Sequence, residues 1–92
     1  MMTKIKIGVA GGNGAFGIKH LEALSQIDDA EIYAVMATSM DKANVTADKF
    51  NAAQRFDDYD AMLADPELDA VILATPTQLH AEQGIKAMHA GK

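Results

Sequence analysis

A chain of 92 residues supports one domain with a modest core, because that size buries only about 60 to 65% of its unfolded surface, and it leaves no room for a second, substrate-binding domain. Apolar residues at 49% against 23% charged exclude intrinsic disorder, and a formal charge of -5 excludes a basic field that would draw in nucleic acid or an anionic membrane. The lack of cysteine removes disulfides, thiolate metal sites and thiol nucleophiles, and no apolar run reaches membrane-spanning length.

The basic start, Met1 to Lys6, is not followed by the long apolar stretch of a signal peptide, so the expected compartment is the cytoplasm. Ile5 to Ala10 reads as a strand, with β-branched Ile5, Ile7 and Val9 on one face and small Gly8 and Ala10 on the other, where a helix can pack closely. Gly17, Leu21, Leu24 and Ile27 then recur at helical spacing and predict a first crossover helix. Glu31 to Ala37 predicts a second strand, and Met40, Ala43, Ala47 and Phe50 the inward face of a second helix. A short strand is expected over Gln54 to Phe56. A brief helix over Asp57 to Ala64, with Tyr59, Met62 and Leu63 inward, should end at the Asp65-Pro66 turn. Ala70 to Ala74 is an uninterrupted apolar run, as expected for a strand covered on both faces. A last helix is expected from Gln78 to Ala90, with Ala81, Ile85 and Met88 inward and Gly91 as its C′ stop.

Taken in order, these elements alternate strand and helix and predict an α/β fold: a partial Rossmann-type parallel sheet of order 3-2-1-4 with helices on both faces, lacking a fifth and sixth strand. Residues 1 to 92 would form one such domain.

Gly12-Asn13-Gly14-Ala15-Phe16-Gly17 matches G-x-G-x-x-G, and its context carries more weight than the match, since it follows a predicted strand and opens a predicted helix. In a dinucleotide turn Gly12 would permit the tight turn, Gly14 the approach of a pyrophosphate to the backbone, and Gly17 the close packing of helix on strand. The N–H groups of the helix start attract the anion. The alternative is that the glycines only turn the chain. A kinase-type glycine loop would need a hairpin and a strand lysine motif, neither of which is visible.

About twenty residues past the last motif glycine, NAD-binding folds place an acidic residue on the adenosine ribose. Here that position is Ala37. Loss of the carboxylate forfeits hydrogen bonds worth roughly 1.5 to 3 kcal/mol but also removes the repulsion that a 2′-phosphate would meet, which tilts the expectation from NAD toward NADP. Thr38, Ser39 and Lys42 could cradle that phosphate; alternatively Ser39 is only an N-cap and Lys42 a solvated surface charge.

The chain resembles the N-terminal region of the glucose-fructose oxidoreductase, inositol dehydrogenase and rhizopine-catabolism family (Gfo/Idh/MocA). The resemblance covers essentially the whole chain. It rests on Lys6-Ile7-Gly8-Val9-Ala10 before the glycines, His20, Ala34-Val35, the run from Asp69 through Val71-Ile72-Leu73-Ala74-Thr75-Pro76, His80, and Ala90-Gly91-Lys92. It implies that Thr75, Pro76, Thr77 and His80 border the cofactor near its nicotinamide end, with N-capping by Thr77 and first-turn packing by His80 as alternatives for the side chains. His20 is expected to be structural and His89 exposed, and three scattered histidines without paired carboxylates predict no metal site.

The family continues, where this chain stops at Lys92, into a fifth strand, a Glu-Lys-Pro segment whose lysine is implicated in catalysis, and a substrate domain. The resemblance therefore implies a cofactor-binding part without a catalytic residue, inactive alone, whose parent moves a hydride between NAD(P) and a sugar-like or polyol hydroxyl. The competing expectation is a stand-alone nucleotide-binding or scaffold module. The apolar fourth strand, an edge without charge or proline, predicts self-association or docking of a complementary C-terminal part through that strand or the last helix.

Overall fold

The structure is a computed structural model and describes residues 4–92; Met1, Met2 and Thr3 of the basic start lie outside the described residues. Its elements in chain order are β1 (Ile5–Ala10), α1 (Ala15–Leu24), β2 (Ala30–Met36), α2 (Met40–Phe50), β3 (Gln54–Phe56), α3 (Tyr59–Leu63), β4 (Ala70–Leu73), a 3-10 turn (Thr77–Leu79) and α4 (His80–His89). The sheet is parallel with order β3-β2-β1-β4, the α/β arrangement expected from the alternation of elements.

The side chains of β1 sort by face. Ile7 and Val9 pack with Leu21 and Leu24 of α1, Val35 of β2 and Ala47 of α2. On the other face Ala10 packs with Met36, Tyr59, Met62, Leu63 and Leu68. Gly8 lies under that second layer, where a Cβ would stand 3.0 Å from Leu68 Cδ1 and 3.1 Å from Met62 Sδ, so the small face does admit a close helix. Ile5, at the strand's start, is half exposed.

Strand β2 breaks the simple two-residue alternation. Its pairing with β1 slips between Ile7, opposite Ile32, and Gly8, opposite Ala34, which leaves Tyr33 as the extra residue. Adjacent Tyr33 and Ala34 consequently pack in the same layer, while Ile32 and Val35 pack in the other. The Tyr33 hydroxyl donates to Asp65 Oδ2 at 2.9 Å, and burial first, then that bond, pushes its pKa up to about 12.

Helix ends follow local chemistry. Ser39 caps α2, its hydroxyl accepting from the Lys42 amide at 3.3 Å, and Asn51 closes α2 in the left-handed region at φ 57°. Asp58 caps α3 by accepting from the Ala61 amide at 2.9 Å. Gly91, at φ 75°, stops α4 as expected.

Three expectations about burial need correction. Ile27 lies beyond α1 and is half exposed, because the helix ends at Leu24 and the chain turns away toward β2. Met40 is exposed at the first turn of α2. Most consequentially, Ala81, Ile85 and Met88 face solvent, with Met88 71% exposed, and α4 instead packs through His80, Gln83, Gly84 and Ala87. The physical reason is the sheet's extent: β4 is its edge, so no strand among the described residues lies under the large apolar side of α4, and the helix settles with its smaller residues on β4, Gly84 coming within reach of Leu73. For the same reason all four residues of β4 are only partly buried, not covered on both faces. The first turn of the last helix is also tighter than expected, a 3-10 turn that begins at Thr77.

Candidate functional site

The order β3-β2-β1-β4 reverses at β1: the chain leaves β1 for β2 on one side, and β4 returns to the other. Crevices at such reversals, beyond the carboxyl ends of the strands, are where open α/β sheets bind ligands. Here a cleft of about 350 Å³ opens at that point. Its wall is formed by Gly11, Asn13 and Gly14 from the β1–α1 turn and by Met36, Ala37 and Thr38 from the end of β2. Ala74, Thr75 and Pro76 beyond β4, with Leu79 and Gln83, complete it.

The turn is built from four glycines with different tasks. Gly11 alone has a positive φ, 79°, so it and not Gly12 makes the tight turn expected at the start of the motif. A Cβ on Gly11 would also lie 2.8 Å from the Ala74 carbonyl oxygen. Gly12 is buried beneath Val35, whose Cγ1 would be 2.7 Å from a Cβ there, and both amides, Gly11 at 2.9 Å and Gly12 at 3.1 Å, donate to the Met36 carbonyl, tying the turn to β2. At Gly17 a Cβ would overlap the Gly11 carbonyl oxygen and approach Gly12 Cα to 2.7 Å, which is the close packing expected of the motif's last glycine. Gly14 differs: only the Gly11 carbonyl, at 3.5 Å, comes near, and its missing side chain leaves open space before the helix.

That space faces the amino end of α1. Gly14 is the N-cap residue and offers no side-chain acceptor, and no acidic residue stands in the first turn. The amides of Asn13, Ala15, Phe16 and Gly17 make no backbone hydrogen bond among the described residues. Unsatisfied helix-start amides together with the helix dipole suit an anion, and the absence of a Cβ on Gly14 lets it approach. Phe16 is 74% exposed and is not among the residues that line the cleft.

The other candidate residues fall on both sides of the cleft. Ala37 is buried at the end of β2, its amide donating to the Phe56 carbonyl at 3.0 Å, and Thr38 is exposed on the cleft wall. Ser39 spends its hydroxyl on the α2 cap. Lys42 borders a separate groove of about 500 Å³ between α1 and α2, which it shares with Asn13 and with Asp41. That groove is larger, but it runs along the helices and away from the strand ends, and only Asn13 belongs to both.

Beyond β4, Thr75 and Pro76 line the cleft, whereas Thr77 and His80 are not among its lining residues. Thr77 caps nothing: Pro76 precedes the 3-10 turn and neither it nor Leu79 makes a side-chain cap. The His80 ring packs back on the strand end, Nε2 donating to the Thr75 carbonyl at 2.7 Å. The Thr75 hydroxyl donates to Gln83 Oε1, and the Gln83 carbonyl accepts from the Tyr59 hydroxyl at 2.7 Å. Burial, with a smaller contribution from Asp60, raises the Tyr59 pKa and keeps that donor protonated. His20 is exposed on α1 and therefore packs no core. Gly11, Met36, Ala74, Leu79 and Gln83 are the cleft residues that sequence reasoning missed, Met36 and Ala74 being the strand-end neighbours of the expected Ala37 and Thr75. The glycine doublet at 11 and 12 was a signal for the first; nothing short of the fold places Leu79 and Gln83.

Residues 5–92 match the family model described as an oxidoreductase family with an NAD-binding Rossmann fold. The chain belongs to the Gfo/Idh/MocA family. Among curated relatives it is 46% identical over 88 residues to the 4-carboxy-2-hydroxymuconate-6-semialdehyde dehydrogenase of Sphingobium sp., a match that covers 96% of this chain and 28% of the relative. Among solved structures it superposes on the scyllo-inositol dehydrogenase of Lactobacillus casei with bound NAD(H) and scyllo-inositol at a TM-score of 0.90 and 27% identity, covering 98% of this chain and 26% of the other. A mutant 3-ketoreductase from Actinomadura kijaniata in complex with TDP-benzene and NADP superposes at 0.91 with 30% identity, over 98% of this chain and 28% of that one. The chain thus spans about a quarter of the length of the Gfo/Idh/MocA proteins it matches, and the part it spans is their NAD(P)-binding Rossmann region. Relatives hold either NAD(H) or NADP, so membership in the family leaves the choice of dinucleotide to local residues.

Proposed function

We propose that the chain binds the dinucleotide of a dehydrogenase that moves a hydride between NAD(P) and a sugar-like or polyol hydroxyl, the whole of residues 1–92 serving as its cofactor-binding domain. The observation that carries this is the open, amide-rich start of α1 at the reversal of strand order, with Gly14 exposing the backbone to a pyrophosphate. Asn13, Ala15, Phe16 and Gly17 present their free amides, Gly14 leaves the approach open and Gly12 anchors the turn to β2, while Thr75 and Pro76 bound the far side of the cleft. Thr77 and His80 contribute by shaping the 3-10 turn behind it. The bound dinucleotide would supply the hydride acceptor or donor; no residue of this chain is assigned to proton transfer. The substrate class is supported by the scyllo-inositol bound in one relative, and the semialdehyde named for another defines the second substrate to test.

NADP is the proposed preference. Ala37 offers no carboxylate to the ribose, and Thr38 with the α2 start at Ser39 and Lys42 offers a hydroxyl, amides and a cation to a 2′-phosphate, against which Asp41 in the same turn acts. Calorimetric titration should give tighter binding of NADP than of NAD, and Gly14→Val should abolish both while the fold persists, since a Cβ at Gly14 meets only the Gly11 carbonyl oxygen, at the ordinary contact distance of 3.5 Å. NAD clearly preferred would overturn the reading of Ala37; a Gly14→Val chain that still binds would overturn the site.

No helix among the described residues is long and apolar enough to cross a membrane. Cytoplasmic residence is part of the same proposal. The free edge of β4 and the apolar side of α4 are the proposed surface for a second copy or for a complementary C-terminal part.

A further inference from the structure

Gln83 stands half-buried in the first turns of α4, on the cleft wall, in a role that none of the expected site residues fills. Its backbone carbonyl accepts from Tyr59 and its Oε1 from Thr75. The remaining polar group, Nε2, makes no hydrogen bond among the described residues. No buried side-chain nitrogen or oxygen there is left without a partner, so Nε2 is open to solvent or ligand. A carboxamide is planar, with its oxygen and nitrogen pointing apart, so anchoring Oε1 fixes the direction of both N–H bonds.

The anchor is itself rigid. The Thr75 carbonyl is held by His80 Nε2 at 2.7 Å, and the Ala74–Thr75 peptide abuts Gly11, where a Cβ would stand 3.2 Å from the Thr75 nitrogen. The oriented donor is therefore coupled to the same backbone that forms the phosphate turn. Strand order then selects what it faces. A dinucleotide with its pyrophosphate beyond β1 and its adenosine ribose at the end of β2 extends its other half to the opposite side of β1, which is the β4 side.

We propose that the Gln83 side-chain amide, oriented by the Thr75 hydroxyl, donates a hydrogen bond to an oxygen of the nicotinamide riboside half of the bound dinucleotide. The proposal rests on the dinucleotide reading above and adds a binding residue to it.

The test compares NADP with 2′-phospho-ADP-ribose, and NAD with ADP-ribose, by calorimetry on the full chain; each truncated ligand keeps the adenosine and pyrophosphate and lacks the nicotinamide. Gln83→Met, which keeps length and loses both N–H groups, should weaken the intact dinucleotide about five- to tenfold and leave the truncated ligand unchanged. Thr75→Val, which keeps shape and frees the amide, should weaken the same ligand selectively. Equal binding by wild type and Gln83→Met, or equal losses on both ligands, would overturn the proposal. If Gln83→Met fails to show a cooperative melt, Thr75→Val decides by the same criterion. Wild-type chain that binds neither ligand would instead sink the dinucleotide reading itself, an outcome distinct from the others.

Discussion

Gly11, Gly12, Gly14 and Gly17 occupy one short turn for different physical reasons, and only Gly14 has none in the packing of the chain itself. Gly11 supplies the left-handed backbone, Gly12 and Gly17 supply clearance for Val35 and for the turn's own backbone, and Gly14 leaves room that nothing in the chain fills. Stability and binding should therefore separate between neighbours. Gly17→Ala is expected to cost about 3 kcal/mol, because the clash is with backbone that cannot rotate away. Gly14→Ala is expected to stay within about 1 kcal/mol, the penalty of alanine at an N-cap, while weakening the dinucleotide. Thermal melts of both variants check the contrast, and equal losses would refute it. Tyr33 carries a second residue-scale expectation. Its hydroxyl ionises near 10.0 when unfolded and at about 12 in the fold, so the stability it contributes is complete below the lower value and is lost as pH rises through that window. Tyr59 shifts in the same direction. Melting temperature should fall across that interval and fall less steeply in Tyr33→Phe; parallel curves for the two proteins would contradict the assignment.

Helix α2 is where a role in an element and a proposed role in a site can be separated. Ser39 satisfies an orphan amide of the helix start, and the same turn presents Lys42 to the groove it shares with Asn13 of the glycine turn. Ser39→Ala should lower stability by about 1 kcal/mol if capping is its whole role. A phosphate contact adds a selective loss of NADP over NAD, so calorimetry with both ligands separates the two roles. Helix α4 illustrates the opposite case, an element whose apolar side and packed side do not coincide. Spacing marks Ala81, Ile85 and Met88 as its hydrophobic stripe, yet the sheet ends at β4 and the helix lies on Gly84 and Ala87 instead. The small residues permit contact; the large ones have no partner surface among the described residues.

For the molecule as a whole, α4 exposes Ile85 and Met88 and β4 ends the sheet, and exposed apolar side chains together with an edge strand invite association. Light scattering at rising concentration should show a weight-average mass above that of one chain, and Ile85→Lys with Met88→Lys should shift the onset to severalfold higher concentration. A monodisperse monomer throughout would overturn the expectation. The glycine turn before α1, the cap at Ser39 and the stop at Gly91 were legible in the sequence because each depends on residue spacing or on backbone chemistry within a few positions, and the parallel 3-2-1-4 sheet was legible through the alternation of strand and helix and the Rossmann order that this alternation suggests. What required the fold was the assignment of the tight turn to Gly11, the one-residue slip that places Tyr33 and Ala34 in the same layer, the burial of α4 through its smaller side, and the appearance of Gln83 in the cleft. Each of these depends on what lies opposite a residue across the sheet or beyond its edge, and periodicity along the chain reports which side chains are apolar without reporting where the surface that would cover them comes to an end.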